Sequence, residues 1–271
     1  VAGDGGGPER GGGRAGRCGG GGMTVADGGG DVGVDGVFIK ICGITSEADA
    51  LLAVAMGASA VGFIFAPSPR QMSVTAVSDI VKRLPHETVT VGVFRDEAPS
   101  RVVEIANQAG LRAVQLHGME SVEDVQFVRQ RVGATIKAYP AGHPSIANFE
   151  RTGAQFLLLD GANPGSGELF DWRLAEGVVD PSRLIVSGGL RPDNVGQAII
   201  HLTPWGVDVA SGVESSPGVK DPGKLRDFVA AVRRAEEELA AATGRVGTPK
   251  PYTTVRRRAP DEPELYDWQD E

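Results

Sequence analysis

The sequence predicts an α/β chain folded as a (β/α)8 TIM barrel, a single domain with disordered terminal extensions, and three observations predict it. Eight short apolar runs rich in β-branched residues recur along the middle of the chain, three of them closed directly by His117, Asp160 and Ser187. These runs are near-continuous in Val, Ile and Leu instead of alternating, as parallel strands are when helices cover the sheet. Between them lie segments with helical periodicity, so that β-then-α units fill about 205 residues with few insertions. A doubly wound open sheet is the alternative. It usually needs fewer strands, and the first turn, Cys42-Gly43-Ile44-Thr45, lacks the G-x-G-x-x-G dinucleotide fingerprint.

Taken in order, residues 1–36 hold 17 of the 39 glycines and almost nothing large and apolar. Such a composition cannot offset its own ordering entropy, so this is a disordered leader, in which Met23 is a candidate start. Residues 37–242 make the barrel. Strands are expected at Phe38 to Ile41, Ala60 to Phe65, Thr88 to Phe94, Ala113 to Leu116, Thr135 to Ala138, Gln155 to Leu159, Arg183 to Val186 and Gly206 to Val209. Thr45 or Ser46 can cap a helix whose Ala48, Leu51, Leu52 and Ala55 share a face before Gly57 ends it. Pro99 suits a first turn leading to Val102, Val103, Ile105 and Ala106, with Gly110 as the stop. Ser121 begins a helix with Val122, Val125 and Val128 at helical spacing. Pro192 opens another through Val195, Ile199 and Ile200. Asp221-Pro222 starts the last, where Leu225, Phe228, Val229 and Val232 form the buried stripe. Helical signals are weakest after the fifth and sixth strands. Residues 243–271, with recurring prolines, a basic cluster at Arg256 to Arg258 and an acidic end, read as a disordered tail; a docking peptide through Tyr266 and Trp268 is the alternative.

Composition narrows the function. The chain has 271 residues, a formal charge of -8 and a pI near 5.1. It advertises no basic surface, so neither nucleic acid nor membrane is an expected partner. A small anionic ligand remains open, because backbone N–H groups bind phosphate without net positive charge. The two cysteines, Cys18 and Cys42, form no disulfide framework, and no Cys/His spacing suggests a metal site. Neither a transmembrane run nor a signal-peptide core is present, so the expected location is cytoplasmic.

In such a barrel the active site lies at the C-terminal ends of the strands, which makes the polar residues there the candidates. Cys42 ends the first strand, either as a packed thiol or as a reactive one. Asp160 closes an apolar strand, where desolvation suits a general acid, while capping of the next turn is an equal alternative. Gly188 and Gly189 after the seventh strand, and Ser211 and Gly212 after the eighth, put small residues where this fold recurrently binds phosphate. Arg70, stiffened by Pro69, could fork onto a carboxylate or lie solvated. Asp208 lies within the eighth strand. His117 reads as a packed or hydrogen-bonded histidine without an evident partner.

These motifs together resemble a known family. Lys40-Ile41-Cys42-Gly43-Ile44-Thr45, Gly62-Phe63-Ile64-Phe65 with Ser68-Pro69-Arg70, Val114-Gln115-Leu116-His117-Gly118, Leu158-Leu159-Asp160, Gly165-Ser166-Gly167, Ser187-Gly188-Gly189-Leu190, and Val207-Asp208-Val209 through Ser211-Gly212-Val213-Glu214 look like the phosphoribosylanthranilate isomerases of tryptophan biosynthesis. The resemblance implies an Amadori rearrangement that needs no cofactor, with Asp160 as general acid and Cys42, as thiolate, as general base. It also implies that Arg70 holds the anthranilate carboxylate and that Asp208 orients the substrate or supports the site. The amides around Gly188, Gly189, Ser211 and Gly212 would bind the phosphate of a phosphosugar substrate, and the protein would be a monomer or homodimer. Two departures stand out: the loop from Asp160 to Gly165 is shorter than the usual form, and Ala210 occupies a position where serine is common. A related histidine-pathway isomerase, which runs on two aspartates, and a silent metabolite-binding barrel are the rival readings. Cys42 at the end of the first strand argues against the former, and its retention with Asp160 argues against the latter.

Overall fold

A computed structural model describes residues 36–161, 172–175 and 180–243 of the chain. The expectations for the leader, the tail and the Gly165-Ser166-Gly167 loop lie outside these residues. Eight parallel strands, β1 (Phe38–Ile41), β2 (Ala60–Ile64), β3 (Val89–Phe94), β4 (Ala113–Leu116), β5 (Ala134–Pro140), β6 (Phe156–Asp160), β7 (Leu184–Val186) and β8 (Gly206–Val209), close into a barrel in sequence order. The seam is the pairing of β1 with β8, which sets Lys40 opposite Asp208.

Although the strands look uniformly apolar, their residues divide by parity between two packed regions. Ile39, Ile41, Val61, Phe63, Leu157, Leu159 and Val207 face out against the helices. Phe38, Ala60, Val91, Ile136, Phe156, Leu158 and Ile185 fill the barrel, where Trp205 stacks on Phe38 and Phe156 with ring centroids 4.3 and 4.0 Å apart. The aromatic floor is therefore at the N-terminal end of the strands. Polar inward positions, Lys40, Cys42, Asp160 and Asp208, occur only above it.

The helices are α1 (Glu47–Ala55), α2 (Val74–Val81), α3 (Pro99–Ala109), α4 (Val122–Arg129), α5 (Phe149–Thr152), α6 (Val195–Leu202) and α7 (Pro222–Thr243). Ser46, Ser73 and Ser121 cap α1, α2 and α4, the last through a capping box with Asp124, and Gly110 ends α3 in the left-handed conformation. As the weak signals indicated, only a 3-10 turn (Pro144–Asn148) and a four-residue α5 follow β5, and only short 3-10 turns lie between β6 and β7 among the described residues.

Two faces differ from expectation. On α1 the buried residues are Ala50 and Ala53, whereas Ala48, Leu51 and Ala55 are exposed. The segment is apolar nearly all round, so periodicity selected the wrong stripe; the small side chains are the ones against the barrel. On α6, Ala198 and Leu202 are buried with Val195 and Ile199, while Ile200 is exposed and the helix begins three residues after Pro192. Strand β5 also runs on to Pro140, because Tyr139 and Pro140 continue to pair with Leu159 and Asp160. After β8 the chain adds a hairpin, β9 (Glu214–Ser216) with β10 (Val219–Lys220), turning at Pro217 and Gly218.

Candidate active site

Cys42 follows β1 directly and is buried, with its amide donating to Val209 O at 2.8 Å. Two positions below it, on the same inward face, Lys40 is fully buried and bridges Asp208 Oδ1 at 2.8 Å. Asp208 thus anchors Lys40 from β8, and its other oxygen lies 3.5 Å from Ser187 Oγ. Burial pushes the Cys42 thiol above its ordinary value; Lys40 and Lys220 pull against that shift, and Asp208 adds to it. For Lys40, burial acts downward, but the Asp208 carboxylate and Cys42 outweigh it and hold the ammonium above its ordinary range.

A second ionic group stands beside the thiol. The Arg70 guanidinium forks onto Glu214, with Nε and Nη2 donating at 2.8 and 2.7 Å. Lys220, fully buried, donates to Glu214 Oε1 at 2.9 Å, to Cys42 O at 2.6 Å and to Ala210 O at 3.2 Å. Arg70 is therefore no solvated loop side chain. Burial would raise the Glu214 carboxyl, yet the hydrogen bonds from Arg70 and Lys220 prevail and hold it below the usual carboxylate range.

Asp160 ends β6, three strands from β1 by the shorter way round. Its Oδ1 accepts from the Gly161 amide at 2.8 Å, so it does cap the next turn. The other oxygen, Oδ2, lies 3.3 Å from His117 Nε2, without the alignment of a hydrogen bond. His117 Nδ1 in turn is 3.2 Å from Gln115 Nε2.

The two glycine loops lie between these groups. Gly188 and Gly189 are both left-handed, with φ of +80° and +66°, and a Cβ on Gly188 would fall 2.2 Å from the Gly161 amide nitrogen. Gly212 packs so closely on the preceding loop that a Cβ would sit 1.9 Å from Leu190 O. Asn194, buried, staples the first loop by donating to Gly189 O at 3.0 Å and accepting from Arg191 N at 2.8 Å. Small residues from β7 and β8 thus make one continuous backbone surface that reaches Asp160.

Expectation from sequence brought Cys42, Asp160, Arg70, Asp208, Gly188, Gly189, Ser211 and Gly212 to one end of the barrel, and all are found there. It missed the partners: Lys40 and Lys220 for the thiol, Glu214 for Arg70 and Asp160 for His117. One signal was available in a lysine flanked by Ile39 and Ile41 in a buried strand, since a charge so placed is paired or functional.

Comparison with known proteins gives a consistent picture. The family model for N-(5'phosphoribosyl)anthranilate (PRA) isomerase matches residues 39–231. The N-(5'-phosphoribosyl)anthranilate isomerase of Desulforudis audaxviator is 45% identical over 205 residues, 73% of this chain and 98% of that protein. The crystal structure of phosphoribosyl anthranilate isomerase from Thermus thermophilus is 40% identical with a TM-score of 0.69, over 73% of this chain and 99% of that one. Another structure of such an enzyme, in complex with reduced 1-(o-carboxyphenylamino)-1-deoxyribulose 5-phosphate, is 37% identical with a TM-score of 0.64, over 73% of this chain and 99% of that one.

Proposed function

The chain belongs to the N-(5'-phosphoribosyl)anthranilate isomerase family, and from that membership we propose that Asp160 is the general acid and Cys42 the general base of its reaction. That reaction is the Amadori rearrangement of N-(5-phosphoribosyl)anthranilate to 1-(2-carboxyphenylamino)-1-deoxyribulose 5-phosphate, a step of tryptophan biosynthesis.

Asp160 gives its proton to the furanose ring oxygen as the bond from that oxygen to C1' breaks and the anilino nitrogen lone pair forms an iminium at C1'. Cys42, as thiolate, takes the C2' proton, and the electron pair moves into an enolamine. Return of a proton to C1' and loss of the C2' hydroxyl proton yield the ketone, so the net change is isomerisation. The carrying observation is that a buried thiol and a buried carboxyl group close two separated strands of one barrel mouth, as opposite ends of the reacting system require. Bound phosphate on the Gly188, Gly189, Ser211 and Gly212 backbone would hold the sugar between them. Arg70 would receive the substrate carboxylate beside, or in exchange for, Glu214, which already presents the same group to its fork.

We assign catalysis to residues 37–242 alone. Among the described residues no helix is long and apolar enough to cross a membrane, and a cytoplasmic location suits a substrate whose charges oppose transfer through lipid.

The test is turnover of freshly made phosphoribosylanthranilate, followed by loss of its anthranilate fluorescence. Cys42→Ala and Asp160→Asn should each lose most activity while keeping the fold. Appreciable activity in both would sink the assignment. A histidine-pathway substrate run in parallel separates this reading from a dual-substrate enzyme.

A further inference from the structure

The thiol assigned as base is buried, and burial disfavours its ionised form. Three cations face it among the described residues: Lys40 from β1, Lys220 from β10 and Arg70 from the loop after β2. Two carboxylates share their neighbourhood, Asp208 on β8 and Glu214 on β9. The surplus is one positive charge, which a thiolate would neutralise.

The cations are not equivalent. Lys220 donates to Glu214 and to two carbonyls, including that of Cys42 itself, so its donors are committed to the backbone of the β1–β8 seam. Arg70 is committed to Glu214 through two donors. Lys40 has one carboxylate partner, Asp208, and its ammonium also interacts electrostatically with Cys42. Gly62 on β2 records how closely the two meet, because a Cβ there would lie 2.9 Å from Cys42 Sγ and 3.2 Å from Lys40 Cε. A side chain at that position would occupy the space in which thiol and ammonium stem converge.

We propose that Lys40 is a positioning residue for the isomerase reaction: held upright by Asp208, it is the counter-cation that makes the Cys42 thiolate attainable inside the barrel. Asp208 then has a double role, since it anchors the ammonium and also tempers it. A thiol held above its ordinary value is the stronger base toward a carbon-bound proton, provided that the ionised form can be reached. The ammonium lets it be reached, and the carboxylate keeps it basic. The inference rests on the assignment of Cys42 as base.

The experiment titrates Cys42 directly by the ultraviolet absorbance of its thiolate, in full-length protein carrying Cys18→Ser, with the Cys42→Ala titration subtracted. Lys40→Met should move the midpoint up by about one unit, and Asp208→Asn should move it down by about one unit. The loss of kcat in Lys40→Met should shrink as pH is raised. A merely structural role would not shift the two variants in opposite directions. Absence or reversal of either movement overturns the proposal. Should Lys40→Met not fold, the double variant Lys40→Met/Asp208→Asn replaces it, and its midpoint must lie above that of Asp208→Asn. The titration reads no turnover, so it stands apart from the assignment of Cys42 as base, which fails instead if Cys42→Ala stays active.

Discussion

Glu214 is the residue whose removal should separate binding from stability. It neutralises Lys220, which has no exposure, so Glu214→Gln leaves a buried ammonium without its carboxylate and should cost about 3 kcal/mol, read as a lower urea midpoint at neutral pH. Because the folded carboxyl lies below its ordinary value of 4.5, its contribution is present above that value and is lost as pH falls through the folded value. The stability gap between wild type and variant should therefore narrow in acid; a gap independent of pH would contradict the pairing. Arg70→Ala should chiefly raise KM, and a normal KM with low kcat would contradict the role proposed for it in holding the substrate carboxylate. Gly62→Ala should lower kcat by about tenfold or more with the fold intact, since a methyl group must displace Sγ. At this scale the sequence revealed which residues reach the barrel mouth, because each lies near the C-terminal end of an apolar strand or in the loop after it. Their partners were hidden. His117 and Asp160 come from strands with β5 between them, and Arg70 meets Glu214 across 144 positions, so neither pair leaves a local pattern.

Among the elements, α1 carries the clearest lesson. Its Ala50 and Ala53 have no exposure, and the helix lies close enough to the barrel that larger groups have no room. Ala53→Leu should destabilise by about 1–3 kcal/mol through overpacking, whereas Leu51→Lys, on the exposed side, should change stability by less than about 0.5 kcal/mol in thermal or urea unfolding. The opposite ranking would restore the stripe that periodicity favoured. Helices α3 and α7 were readable because charged and apolar residues alternate cleanly around them. In α1 the only charges, Glu47 and Asp49, stand in the first turn, where they report the helix start and say little about its face. The hairpin of β9 and β10 was unreadable for another reason: its strands are three and two residues long, too short for any period to register.

Over the whole molecule, the order of eight strands was legible because each contributes its own apolar run and parallel neighbours follow one another in sequence. Closure was expected from the count of eight units and is found, but its register, with Lys40 opposite Asp208, was not legible, since it depends on how β1 meets β8. Trimming residues 1–35 and 244–271 should leave the unfolding midpoint and the turnover unchanged; loss of either would mean that the barrel depends on its extensions. Closure also has a temporal consequence. The bonds that surround the thiol join residues far apart in sequence, 168 positions for Lys40 with Asp208 and 178 for Lys220 with Cys42. Contacts of such span form late, after the loop entropy between them has been met. A nascent or refolding chain carries Cys42 and Lys40 from the beginning, but Asp208, Glu214 and Lys220, which complete the ionic surroundings, arrive only with the last strand and the hairpin after it. During synthesis, and in any partly folded intermediate, that sulfur is an ordinary thiol open to the cell's oxidants, and closing the ring both shelters it and completes the site.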